Sequence, residues 1–290
     1  MKPIFELPLR GAGGEPISFA RTVHSHGCAR LPPASIEASP LVYRRKLRLR
    51  NRVVEVALRE SDGGLVVESG SRLRAGELEA ARRAVARMFR LDYDLSPFYR
   101  QIANDGRLAW AARGAGRILA SPSVFEDVVK TICTTNCTWS ATVRMTSALA
   151  DLGAGAFPEP ELLAATPDRW YRDVARMGYR GAYVKSIARS VAAGEEDLEA
   201  LRDAGRYDDA EVERRLLALP GIGPYGAAHV MQLLGRHRLL VLDSWTRPKF
   251  RRLAGMKKAA DSTIRRAFAG YGDYAGLAFW LYLTREWVDE

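Results

Sequence analysis

The chain has 290 residues, 47% of them apolar, and Lys plus Arg exceed Asp plus Glu by 44 to 34, for a net charge of +10. That length suits one large domain or two to three smaller ones, with ample apolar material for real cores. Three cysteines, Cys28, Cys133 and Cys137, exclude an even disulfide framework and a four-cysteine iron–sulfur cluster, and no run approaches the ~18 apolar residues of a membrane span. No basic-then-apolar leader opens the chain, so a soluble, cytoplasmic protein without membrane contact is expected. Of the 44 cations 37 are arginine, whose fork suits a polyanionic partner.

The first hundred residues are β-rich. Leu41–Arg50 alternates in part and Arg52–Glu60 more cleanly, through Val54, Val56 and Leu58; Asp62-Gly63-Gly64 is a turn signal before LVVES. Such a hairpin needs a covering layer, and the helical stretch Glu77–Phe89 can supply it. From about Ser121 the period becomes helical. Ser123–Thr134 opens on a serine cap, and Thr166-Pro167-Asp168 is a second helix start, expected to stop at Gly178. Tyr179–Ala193 is amphipathic and stops at Gly194. Asp209–Ala218 reads as a helix, and Ser262–Trp287 as one or two more, broken around Gly270-Tyr271-Gly272.

Between two of these helices lies Leu219-Pro220-Gly221-Ile222-Gly223, followed by Pro224. Gly221 and Gly223 permit a sharp turn and close backbone approach, and Pro224 opens the next helix. Free N–H groups around Tyr225 and Gly226 then point outward at a helix N-terminus, where the dipole favours an anion. Leu219 and Ile222 would anchor the turn in the core. Asp243 follows 20 residues after Gly223, in LVLDSWTR.

A hairpin of the form L-P-G-I-G with an aspartate after the next helix resembles the helix-hairpin-helix DNA glycosylase superfamily. SVFEDVVKTICTTNCTWSA and DRWYRDVARMGYRGAYVKSIARSV resemble further segments of its alkylpurine (3-methyladenine) and 8-oxoguanine branches. The β-rich start resembles the antiparallel sheet domain of those two branches. The resemblance implies an α+β fold, with residues 1–90 as a sheet domain with its covering helix and 91–290 as a helical core. Within that core, about 122–236 would carry the hairpin, and 91–121 would pack with 237–290.

The resemblance also implies roles. Bifunctional members carry a Schiff-base lysine two residues after the second hairpin glycine; here Tyr225 stands there, and a phenol forms no imine. In the bacterial alkylpurine branch that position is an aromatic lining the base pocket. The oxoguanine branch reads its base with a glutamine followed four residues on by an aromatic; Gly276 and Trp280 occupy those positions, and Ala141 replaces a further arginine. A monofunctional enzyme for alkylated purines is therefore expected. Asp243 would stabilise the oxocarbenium-like sugar, and it also suits a helix cap. Tyr225, Trp245, Trp280, Trp139 and Phe19 are candidate pocket aromatics for a cationic base. Asn136 would plug the gap left by the flipped base, and Tyr179 with Arg180 would wedge the stack and touch the opposite strand.

The implied partner is double-stranded DNA with a damaged base, bound by a monomer. Leu219, Gly221, Ile222, Gly223 and Gly226 would grip phosphate. No cofactor is required, with Na+ or K+ as the ion for the carbonyls of Leu219 and Ile222. The alternatives are excision of 8-oxoguanine or a deaminated purine, and a non-catalytic helix-hairpin-helix DNA-binding protein. His24, His26 and Cys28 are metal-ligand types in H-S-H-G-C, but two histidines two apart on a loop are a weak zinc signal. Cys133 and Cys137 read as buried thiols.

Overall fold

The structure is a computed structural model that describes residues 1–288. Strands β1 (Lys2–Pro8), β2 (Ala34–Ala38), β3 (Leu41–Leu49), β4 (Arg52–Ser61) and β5 (Gly64–Ser69) form one antiparallel sheet in the spatial order β1-β5-β4-β3-β2. The expected β3–β4–β5 meander is present, and its β4–β5 turn places Asp62 at φ 48° and Gly63 at φ 74°, the left-handed pair that a two-residue hairpin demands. Strands β1 and β2 escape the sequence reading. Strand β1 is an edge strand with prolines at positions 3 and 8, so its alternation is confined to Phe5, Glu6 and Leu7, and β2 has five residues with only Ala34 buried.

Helix α1 (Phe19–Val23) precedes β2, and α2 (Ala75–Met88) follows β5. As expected, α2 covers the sheet: Ala81, Val85 and Met88 pack with Phe5, Val56, Leu58 and Val67. Each large apolar side chain so buried contributes about 1.5–3 kcal/mol. Helix α3 (Ser96–Ile102) is followed by a body made of α4 (Val124–Thr134), α5 (Trp139–Leu152), α6 (Pro160–Ala165), α7 (Arg180–Ala192), α8 (Asp209–Ala218) and α9 (Pro224–Leu233), with its own core. The chain then returns to α3 through α10 (Thr246–Leu253), α11 (Asp261–Phe268) and α12 (Ala275–Thr284), which share another core. No helix among the described residues is long and apolar enough to cross a membrane.

Side-chain caps open several helices, α4 and α8 among them. Ser123 Oγ accepts from Glu126 N at 3.2 Å to open α4, and Asp208 accepts from Glu211 N at 2.8 Å to open α8. The helix expected from Thr166-Pro167-Asp168 does start there, with Asp168 and Arg169 helical, but it ends at Val174 and not at Gly178. Thr166 closes α6, its hydroxyl donating to Leu162 O at 2.7 Å, and the chain beyond it winds into one π-type turn, Trp170–Val174. Sheet and helices meet across buried charge. Arg45 of β3 donates to Glu126 of α4 at 2.6 Å, Lys130 pairs with the same carboxylate at 2.7 Å, and Arg87 of α2 reaches Asp127 at 3.4 Å.

Candidate functional site

The turn between α8 and α9 has the expected geometry. Gly221 sits at φ 84°, and a Cβ there would lie 2.6 Å from Tyr183 Cδ2, so both backbone and space require glycine. Leu219 and Ile222 are buried in the core around α4 and α9, and Ile222 N donates to Leu219 O at 3.1 Å. Only their backbones are therefore left for a ligand. Gly223 is the N-cap of α9 and supplies no capping side chain, so no side chain caps the N–H groups at Tyr225 and Gly226.

The loop between α4 and α5 carries Asn136, exposed and at φ 46°. Its Nδ2 donates to Tyr179 Oη at 3.4 Å, so residues 43 apart in sequence stand together. Tyr179 is half exposed and packs edge-on against Tyr183, their ring centroids 5.7 Å apart. Arg180 departs from expectation. Its guanidinium is buried, donates to the carbonyls of Thr135 and Asn136, and lies 4.6 Å from the Tyr179 ring centroid. In this arrangement it braces the loop and the Tyr179 ring and does not reach outward to a second strand.

Asp243 stands at the mouth of α10. Its Oδ1 accepts from Trp245 N at 2.8 Å and Thr246 N at 2.6 Å, while Asp243 N donates to Thr246 Oγ1 at 2.8 Å. The residue is half-buried, and its Oδ2 has no hydrogen-bond partner among the described residues. The Tyr225 hydroxyl lies 3.4 Å from Thr134 Oγ1 and is held above the usual phenol range, mainly by burial, with Cys28 and then Asp243 adding to the effect. Tyr225 thus touches Thr134 and lies near enough to Cys28 and Asp243 for their charges to act on its hydroxyl. The cap fixes the aspartate and leaves one oxygen to act.

The candidate aromatics divide. Trp245, Trp280 and Trp287 form a cluster with ring centroids 5.4 to 5.8 Å apart. Trp245 and Trp287 are exposed, whereas Trp280 is buried beneath them with Nε1 donating to Ser25 O at 2.8 Å. Trp139 is exposed, its ring edge 3.2 Å from where a Gly27 Cβ would stand. Phe19 is no pocket residue: it is fully buried in the sheet core and stacks on Phe89 at 5.9 Å, with no face left for a ligand. Gly276 lies against the chain before Asp243. Its N donates to His237 O at 2.7 Å, and a Cβ would collide with Leu239 O, so no side chain fits there.

No known protein-family model matches the chain, and no curated protein matches it. Solved structures do. A 3-methyladenine DNA-glycosylase from Archaeoglobus fulgidus superimposes with a TM-score of 0.73 over 98% of this chain and 99% of its own, at 23% identity. The apo 8-oxoguanine glycosylase/lyase of Clostridium acetobutylicum gives 0.71 over 98% and 99%, at 18% identity. The chain has the helix-hairpin-helix DNA glycosylase fold. The 3-methyladenine DNA glycosylase Mag1 of Schizosaccharomyces pombe, solved with abasic DNA, matches 71% of this chain and 97% of its own at a TM-score of 0.51 and 17% identity.

Within this glycosylase fold, sequence reasoning missed Trp287 and His229, and it named His26 and Cys28 only as weak metal-ligand types, without their place in the loop beside Gly27 near the Trp139 ring. That loop runs between the tryptophan cluster, through Ser25 and Trp280, and the Trp139 and Tyr225 side of the cleft. The only sequence signal for it was H-S-H-G-C. His229, stacked on Tyr225 at 6.2 Å and edge-on to His26 at 5.4 Å, is some two hundred residues away.

Proposed function

We propose that the protein is a monofunctional DNA glycosylase that flips an alkylated purine, such as 3-methyladenine, from double-stranded DNA and releases it by hydrolysis. The observation that carries this reading is the Asp243 carboxylate, one oxygen pinned by its own helix cap and the other unpartnered, near enough to Tyr225 for its charge to act on that hydroxyl. As the base departs, the sugar gains positive charge, and a fixed carboxylate lowers that barrier and orients the attacking water. A purine alkylated at N3 or N7 is already cationic, so its departure needs no proton from the enzyme. Exposed aromatic faces at Trp245, Trp287 and Trp139 favour such a cation, by about 0.5–2 kcal/mol each.

The lesion strand is held by a phosphate on the uncapped N–H groups of α9, with a monovalent cation at the hairpin carbonyls. Asn136 and Tyr179, joined by their hydrogen bond, fill the space left by the flipped base, which offsets an unstacking cost of a few kcal/mol. Hydrolysis without lyase chemistry is supported by Tyr225 in the place of the Schiff-base lysine. Lys130 and Lys249 are buried and paired with Glu126 and Glu286, so neither offers a free amine. The absence of room at Gly276 speaks against a glutamine-type reader of 8-oxoguanine at that position.

The test is a panel of duplexes, each with one damaged base, scored for alkali-labile abasic sites. Release of 3-methyladenine or 7-methylguanine, lost in Asp243→Asn, is the expected result, with no adduct trapped by borohydride. Binding of every lesion with release of none would leave a non-catalytic DNA-binding protein. A trapped adduct would mean that some lysine is the nucleophile.

A further inference from the structure

We infer that His26, Cys28 and His229 form a binding site for one zinc-class divalent ion, which fastens the N-terminal loop to helix α9. One ligand atom from each residue lies within 4.8 Å of the other two. In a tetrahedral zinc site, with Zn–N near 2.0–2.1 Å and Zn–S near 2.3 Å, such atoms stand about 3.3–3.6 Å apart. Small side-chain rotations close that difference.

The polar groups are already arranged for it. His26 Nε2 lies 2.7 Å from Leu119 O, a carbonyl that can only accept, so this nitrogen carries the hydrogen and the lone pair is on Nδ1. That Nδ1 is buried and has no partner, and His229 Nε2 is likewise buried and unpartnered. Both histidines are more than nine-tenths buried, at 5% and 6% exposure. A ring nitrogen bonded to a backbone carbonyl, with its other nitrogen free, is the usual way a ligating histidine is aimed.

The space fits an ion and excludes a base. The three residues line a cavity of about 10 Å³, room for one water-sized occupant. Two imidazoles and a thiolate are a donor set that selects zinc over magnesium or calcium. Lys130 also lines the cavity, and its own partner is Glu126 at 2.7 Å. Asp127, on the same lining, is engaged by Ser121 N and Arg87, so the fourth position falls to water. Because His229 stacks on Tyr225, the ion stiffens the wall of the cleft without entering the hydrolysis. The rival occupant is a single water that bridges the two bare nitrogens.

The test is titration of the untagged, metal-stripped full chain with cobalt(II). The expected result is saturation at one equivalent, with the visible bands of a tetrahedral ion and a near-ultraviolet thiolate-to-cobalt band. Cys28→Ser should remove the thiolate band, and His229→Gln should weaken binding by about tenfold or more. One equivalent of zinc should displace the cobalt and raise the melting temperature of the wild type but not of Cys28→Ser. No bands in the folded wild type, or bands that survive Cys28→Ser and vanish in Cys137→Ser, would overturn the assignment and leave the niche to water. Since the readouts are spectra and melting temperature, they hold or fail independently of glycosylase activity.

Discussion

The two ends of helix α4 make opposite use of polar groups. At its N-terminal half Glu126 and Asp127 are fully buried, and every carboxylate oxygen is matched: Glu126 by Arg45 and Lys130, Asp127 by Arg87 and Ser121 N. Past its C-terminal end, Asn136 is exposed at positive φ, Thr134 and Tyr225 share one long hydrogen bond, and the facing Asp243 keeps an oxygen free. A seam that closes its charges upon one another can only hold the sheet to the helices. A cleft that leaves donors, an acid and aromatic faces unmatched has interactions to offer a ligand. Stability and function are thus separated by about one helix length.

The most severe break of that contrast is Asp243→Asn. Asparagine caps a helix as well as aspartate does, so the melting temperature should stay close to wild type. Lesion excision should fall by about a thousandfold in a single-turnover assay. A large loss of stability with retained excision would reverse the assignment of the two regions. Glu126→Gln attacks the other end. Leaving Arg45 and Lys130 without their anion should lower unfolding free energy by about 3–5 kcal/mol in urea melts. Below the melting range, excision by that variant should be near normal.

Asn136→Ala and Tyr179→Ala sharpen the comparison at intermediate size. Each should slow excision from a paired duplex by roughly tenfold, and much less from single strands, where there is no stack to refill. Equal loss on both substrates would mean that these residues touch the base and do not fill the gap. The smallest expected effect concerns the closed interior. Burial, with Arg90 and Arg117 next, depresses His237 to about 3. The unfolded chain therefore binds a proton below about 6.5 that the folded chain refuses, so stability falls as pH drops from there toward 3. His237's share over the first pH unit should be about 1 kcal/mol, and His237→Gln should remove that share of the slope.

Local rules made much of this molecule legible from its residues. Alternation at Val54, Val56 and Leu58 marked β4; Ser123 marked the start of α4, and Gly194 the stop after α7. The hairpin could be read from Leu219 to Pro224, because a turn with Gly221 at positive φ and Pro224 opening a helix involves only neighbours. The placement of Asp243 was legible only through resemblance to a known spacing. The start at Thr166-Pro167-Asp168 was legible too, whereas the π-type winding of Trp170–Val174 that ends this segment before Gly178 was not.

What the sequence determined by itself was therefore the set of strands, helices and turns whose signals span a few residues. Only the tertiary structure decided which polar groups meet. It joined Asn136 to Tyr179, turned Arg180 inward to the carbonyls of Thr135 and Asn136, buried Phe19 on Phe89, and brought His26 and Cys28 to His229. The reason is physical: φ preferences, caps and alternation act between adjacent turns, whereas those meetings are fixed by how three apolar cores pack together.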